Sequence, residues 1–287
     1  MSAMRVFTYD SLEERRPRHI LMDLIRARQL LLDLIWRDLR VRYRYAVMGF
    51  LWAVLEPLAF TVILTLVFTL VFAPRVPDAA QTAGPPYVVM LLCGIIFWQY
   101  FSTSVTTATT SVVANQNLVK KVRFTREIIP MAACCVPLVQ LGIGLTLLFI
   151  VHLFLGGALS SALIWLPFVF AIQFVLTLGL ALLFSCVHVH FRDVSNVVTV
   201  GLLLGFYASP IFYPLEMVRE SRLPQWLQQL YLLNPMAGLL TAYRQILLEY
   251  RFPDWQLLIA PSVIAVSAFI AGLLLFRRIA ATMSDYL

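Results

Sequence analysis

The sequence predicts an all-α membrane protein: six transmembrane helices preceded by an amphipathic helix at the cytoplasmic interface. Three observations lead there. Of 287 residues, 61% are apolar and 13% charged, against about 45–50% and 25% in soluble domains. Six apolar stretches reach the roughly 20 helical residues needed to cross about 30 Å of hydrocarbon. The run RDLRVRYRYAVMGFLWAVLEP, residues 37–57, carries a basic helix without a linker into the first stretch. Backbone groups in lipid must be satisfied internally, and the alternation of a porin strand is absent, so the spans are helices.

Residues 1–19 are an N-terminal extension with no readable motif. Residues 20–48 form the interface helix: Arg26, Gln29, Asp33, Arg37, Arg40 and Arg44 recur at steps of three and four on one face. Leu21, Leu24, Leu31, Ile35 and Leu39 fall opposite, so this helix is expected along the headgroup boundary. Arg28 and Arg42 intrude on the apolar side, where long stems can snorkel. The helix is either a lipid-surface anchor or a docking or gating element. The spans follow at about 49–73, 87–113, 130–155, 163–187, 196–213 and 256–276, within one membrane domain over 49–280.

Orientation follows from charge. With the N-terminus inside, seventeen of the 22 basic residues fall on one side, including ten arginines before Gly49. Arg75, Arg219, Arg222, Arg244 and Arg251 fall on the other, balanced by Asp78, Glu216, Glu220, Glu249 and Asp254. Both termini are therefore expected in the cytoplasm. With that asymmetry explained, a pI near 9.5 gives no reason to invoke nucleic acid. A cleaved signal peptide is not expected, because the first apolar span starts behind a long charged segment.

Cys93, Cys134, Cys135 and Cys186 lie inside predicted spans and read as small core hydrophobes. His188, His190 and Asp193 read as a solvated turn in preference to a metal site. Glu56 is the one carboxylate inside a predicted span, roughly 10 Å past Gly49 at 1.5 Å per residue. A bare charge there is expensive, so Glu56 needs a partner, the interface or a proton. Pro57 can bend the span, and the two residues are either a structural kink or a gate at the cytoplasmic entrance. Gly201, Gly205 and Ser209 form a small-residue face in span five, for contact between subunits or within one.

Between spans two and three, NQNLVKKVRFTREIIP (residues 115–130) interleaves Val119, Val122 and Phe124 with Lys120, Lys121, Arg123 and Arg126. Such a mixture suits a shallow socket on a soluble cytoplasmic protein better than a solvated turn.

Residues 37–57 resemble the opening of the membrane subunits of ABC-2 type polysaccharide and polyol-phosphate exporters. Residues 115–130 resemble their cytoplasmic coupling helix, and LLNPMAGLLTAYRQILL (residues 232–248) resembles the segment before their last span. The resemblance extends over about residues 20–280 and is closest to exporters of O-antigen and teichoic acid, with capsule exporters further away. It implies the ABC-2 (type V exporter) fold, a homodimer in the bacterial inner membrane and two copies of a separate ATPase subunit. A lipid-linked glycan would move outward between the membrane subunits.

This chain has no G-x-x-x-x-G-K-[ST] loop and only two lysines, so no cofactor is expected on it; ATP and magnesium would be held by the ATPase. The resemblance assigns the ATPase contact to residues 115–130 and to the helix bearing Arg37 and Arg40. Val119, Val122 and Phe124 would fill a cleft on that partner, and the four cations would orient it or meet lipid phosphates. For the glycan path, span two offers Phe97, Trp98, Tyr100 and Phe101 above Ser102 and Thr106. Aromatic faces can slide along sugar rings; alternatively, the rings fill the core and the hydroxyls bind helices together. In the outer segment, Leu223, Trp226, Leu227, Leu230 and Tyr231 read as a short face at the outer leaflet, where the family has re-entrant helices near the exit. Two other classes stay open: an ABC-2 permease for small drugs or lipids, and a membrane glycosyltransferase. Asp193, Glu127 and Glu56 are too scattered to favour the second.

Overall fold

The computed structural model describes residues 28–44, 51–67, 86–121, 124–220, 224–280 and 283, and the regular structure among them is helical. The extension at 1–19, the first part of the interface helix, the edges of span one, Val122, Arg123 and Leu223 lie outside the described residues. The helices are α1 (Arg28–Arg44), α2 (Trp52–Leu66), α3 (Tyr87–Ala114), α4 (Gln116–Lys121), α5 (Ile128–Cys135) and α6 (Pro137–Phe154). A 3-10 turn at Ser161–Trp165 leads into α7 (Leu166–His190). Then come α8 (Val194–Tyr207), α9 (Leu215–Arg219), α10 (Gln225–Leu232), α11 (Pro235–Leu247) and α12 (Trp255–Ala280).

Among the described residues, four stretches are long and apolar enough to cross a membrane: Tyr87–Ala114, Ile128–Phe154, Ser161–His190 and Trp255–Ala280. The helices at the first and fifth predicted spans are shorter, at 15 and 14 residues. Helix α8 stops at Tyr207, short of the predicted 213. Beyond it the Ser209 hydroxyl folds back on the Gly205 carbonyl at 2.7 Å. Pro210 then has no N–H with which to continue the ladder.

Helix α3 is the hub. It packs on α2, α5, α6, α7, α8 and α11, while α7 and α12 form the most extensive helix pair. One core is built on α3, α6, α7 and α11. A second gathers Leu34 of α1, Val119 of α4, Ile128 and Ile129 of α5, and Phe276 of α12.

Prolines and glycines set the close approaches. Pro137 cannot bond the Ala133 carbonyl, so the stretch Ile128–Phe154 breaks into α5 and α6. The Thr107 hydroxyl of α3 donates to that freed carbonyl at 3.5 Å. Pro261 likewise leaves the Leu257 carbonyl without its i+4 donor, and Gly238 of α11 presses against it. A Cβ on Gly238 would stand 2.3 Å from that oxygen. Between α7 and α12, a Cβ on Gly272 would stand 2.3 Å from the Gly179 carbonyl oxygen. These helices touch backbone to backbone, the geometry that drives association where water exclusion cannot.

Gly272→Leu must force α12 off α7, with an expected loss of about 1–3 kcal/mol or more. Gly201, by contrast, has nothing within 4 Å of its Cβ position. Gly201→Ala should stabilise α8 by up to about 1 kcal/mol, through helix propensity alone. Thermal unfolding in detergent checks both, and equal melting points for the two variants would refute the contact.

Candidate functional site

The aromatic cluster of α3 faces inward. Phe97, Trp98, Tyr100 and Phe101 are 1%, 7%, 2% and 5% exposed. Phe97 stacks on Tyr243 of α11 at 3.5 Å, Trp98 leans on Phe206 of α8 at 5.9 Å, and Tyr100 on Phe170 of α7 at 5.3 Å. Gln173 of α7 joins the two stacked residues: its amide donates to the Phe97 carbonyl at 2.9 Å and accepts from the Tyr243 hydroxyl at 2.6 Å. Neighbouring helices of the same chain cover all four rings, the arrangement of the core-filling alternative.

The opposite face of α3 is open. Thr106, Thr107 and Thr110 are exposed, and Gln99, Ser102 and Thr103 are half-buried above them. At 100° per residue these six fall on one face of the helix. The Thr107 hydroxyl also donates to the Thr103 carbonyl at 2.7 Å, so the strip is polar without being starved of partners. A small cavity beside its upper end is lined by Pro57, Gln99, Tyr100, Gln140 and Gly144. Pro57 is buried, and its carbonyl accepts from the Thr61 hydroxyl at 2.7 Å, while Glu56 is exposed on α2.

The expected partner-facing residues divide. Lys120 and Lys121 are exposed on α4 with Gln116 and Asn117. Val119 is only 3% exposed and packs into the second core, with Phe124 half-buried against it. Both belong to a cluster that also takes in residues of α1, α5 and α12. Arg126 is also occupied, donating to the Ala280 carbonyl at the end of α12.

Helix α1 is docked to the bundle: Leu34 is 5% exposed and lies among Leu30, Leu31 and Ile35. Arg37 donates to the Asn115 side-chain oxygen at 2.7 Å, and Arg42 to the Gln140 side-chain oxygen at 3.1 Å. Arg40 remains exposed, as do Leu32, Trp36 and Val41. Leu31 and Ile35 of the expected apolar face thus pack beside Leu34 against the bundle.

Helix α11 is buried over most of its length. Asn234 caps it, accepting from the Met236 N–H at 3.0 Å and donating to the Ala208 carbonyl at 3.0 Å. Arg244, expected among balanced outer-loop charges, is instead 5% exposed. It donates to the Ile211 and Tyr213 carbonyls at 2.8 and 3.0 Å and so fixes the chain leaving α8. The sequence signal for Gln173 and Arg244 was a lone polar residue in an apolar window, which at membrane depth has to find a partner. Helix α10 buries none of its residues and exposes Trp226 and Leu230. Burial, and the Tyr213 hydroxyl 3.3 Å away, hold the Tyr231 phenol far above its usual range, so it stays protonated.

Of the small-residue face, Gly205 and Ser209 pack internally. A Cβ on Gly205 would meet Trp98 at 3.0 Å, and Ser209 accepts from Asn234 at 3.0 Å. Only Gly201 is open. Cys93, Cys134 and Cys186 are buried and Cys135 half-buried, all as free thiols.

Residues 29–248 match the ABC-2 type transporter family. The chain is 30% identical over 247 residues to the O-antigen export system permease protein RfbA of Myxococcus xanthus, covering 86% of this chain and 91% of that one. An O-antigen export system permease protein RfbA of Klebsiella pneumoniae is 28% identical over 87% of this chain and 92% of its own length. The polysialic acid transport protein KpsM of Escherichia coli is 24% identical over 85% and 91%. A family match across most of the described helices, with relatives aligned almost end to end, leaves one assignment: the chain belongs to the ABC-2 type transporter family.

Proposed function

We propose that this chain is the membrane-spanning permease of an ATP-driven exporter that carries a lipid-linked polysaccharide of the O-antigen kind out of the cytoplasm. The observation that carries the reading is similarity to O-antigen export permeases over nearly the whole length. The working unit would be two copies of this chain with two ATPase subunits that hold ATP and magnesium; this chain binds no cofactor and catalyses no reaction.

In the inner membrane, the reading has six spans, both termini in the cytoplasm and α2 and α8 as the two shorter spans of the 49–280 membrane domain. Helix α1 would lie at the interface, with exposed Leu32 and Trp36 toward lipid and Arg40 toward phosphates. Exposed Lys120 and Lys121 suit the ATPase contact, and Arg37 would support it by tying α1 to α3. Val122 and Arg123 belong to the same proposed contact.

The open strip of α3 supports a path for the glycan. A polar face on an otherwise apolar span is ill-matched to lipid but suits sugar hydroxyls and water in a channel shared with the second copy. Ser102 and Thr106 keep their proposed place in the path, now joined by Gln99, Thr103, Thr107 and Thr110, while the aromatic residues back the wall. Glu56 and Pro57 remain gate candidates for this path; Pro57 lines a small cavity with Gln99 and Gln140 at the upper end of the strip.

The test is ATP hydrolysis by this chain reconstituted in nanodiscs with its ATPase, with and without a polyprenyl-linked glycan. Stimulation by the glycan is expected. Stimulation by small hydrophobic drugs with an inert glycan would replace this reading by the drug or lipid permease.

A further inference from the structure

We propose that α12 transmits motion from the cytoplasmic docking surface to the outer exit segment, with Glu127 and Arg277 as the positioning residues that couple it. The inference rests on the ATPase docking beside α4. It begins in the short link between α4 and α5. There the Arg126 guanidinium donates to the Ala280 carbonyl in the last turn of α12. Carbonyls of a last turn have no partner within the helix and carry its negative dipole end, so a cation is held well there.

One residue on, the Glu127 carboxylate is 6% exposed and accepts from Arg277 Nε of α12 at 3.2 Å. A buried carboxylate cannot leave its guanidinium without an unpaired charge, so the pair moves together rather than slides. The link also carries Phe124 into the same core as Phe276 and Met283. A displacement of α4 therefore reaches α12 through charge and through packing.

Two contacts along α12 are made by backbone, without intervening side chains. Gly272 lies on the Gly179 backbone of α7, and the carbonyl freed by Pro261 lies on Gly238 of α11. Contacts without intervening side chains cannot absorb a shift by changing rotamers. Helix α11 then grips the Ile211 and Tyr213 carbonyls through Arg244, and Ala208 through Asn234. The route ends at the chain just beyond α8, on the outer side.

Two measurements test this. In the reconstituted complex, R277Q should bind the ATPase and hydrolyse ATP at the basal rate, and both E127Q and R277Q should lose about fivefold or more of glycan-stimulated export. The charge-swapped E127R/R277E pair should recover most of it, a rescue that loss of fold would not give. In the wild-type complex, trapping the ATPase with nucleotide should change amide exchange at residues 208–213 and in α11, and E127Q should abolish that response.

Full export by E127Q, or outer exchange indifferent to nucleotide in the wild type, overturns the inference while leaving the docking reading intact. If E127Q fails to reach the membrane, the wild-type exchange measurement decides alone. A wild-type chain that binds no ATPase removes the docking reading and this inference with it.

Discussion

Tryptophan at Thr106 is expected to stop glycan export while leaving the stability of the subunit untouched. Thr106 is exposed, at the centre of the uncovered hydroxyl face of α3, so the larger ring displaces nothing within the subunit. Surface substitutions of that kind shift stability within about 0.5 kcal/mol. If the face lines the path, an indole would narrow it for a chain of sugars that must pass residue by residue. A loss of export of about tenfold or more corresponds to an added barrier of about 1.4 kcal/mol, modest for a steric block. Thr106→Val keeps the shape and removes the hydroxyl, so it should slow export less. Assayed in the nanodisc complex beside a thermal melt, unchanged export by T106W would move the path off α3.

The sequence reading located most helices, because apolar runs of membrane length and flanking cations are strong local signals. It misjudged the ends of α8, where Ser209 and Pro210 turn the chain although hydropathy continues to Tyr213. It did not tell which hydroxyls of α3 are covered. Ser104, Thr109 and Ser111 are as polar as Thr106, Thr107 and Thr110, yet they are buried. Composition along a helix does not say which side its neighbours cover. For α4, the alternation of valine and lysine was legible, but not that Val119 completes the subunit's own core. The capping of α12 by Arg126 and the Glu127–Arg277 pair join residues some 150 positions apart, for which a single sequence holds no local signal.

Phe97→Ala should act in the opposite way to T106W, lowering export because the subunit loses stability. The Phe97 ring is 1% exposed and lies flat on Tyr243. Removing it should cost about 3–5 kcal/mol as a cavity, to which a lost stacked pair adds about 0.5–1.5 kcal/mol. The cavity also loosens the Gln173 bridge, since Gln173 is held between the Phe97 carbonyl and the Tyr243 hydroxyl. Phe97→Leu keeps an apolar side chain of intermediate volume, so it should lose less stability and retain most export. This series separates wall from scaffold. If F97A melts like the wild type and exports nothing, the ring meets the glycan and α3 must turn during transport. If melting point and export fall together, and both recover in F97L, the aromatic cluster is the rigid backing that keeps the hydroxyl face in place.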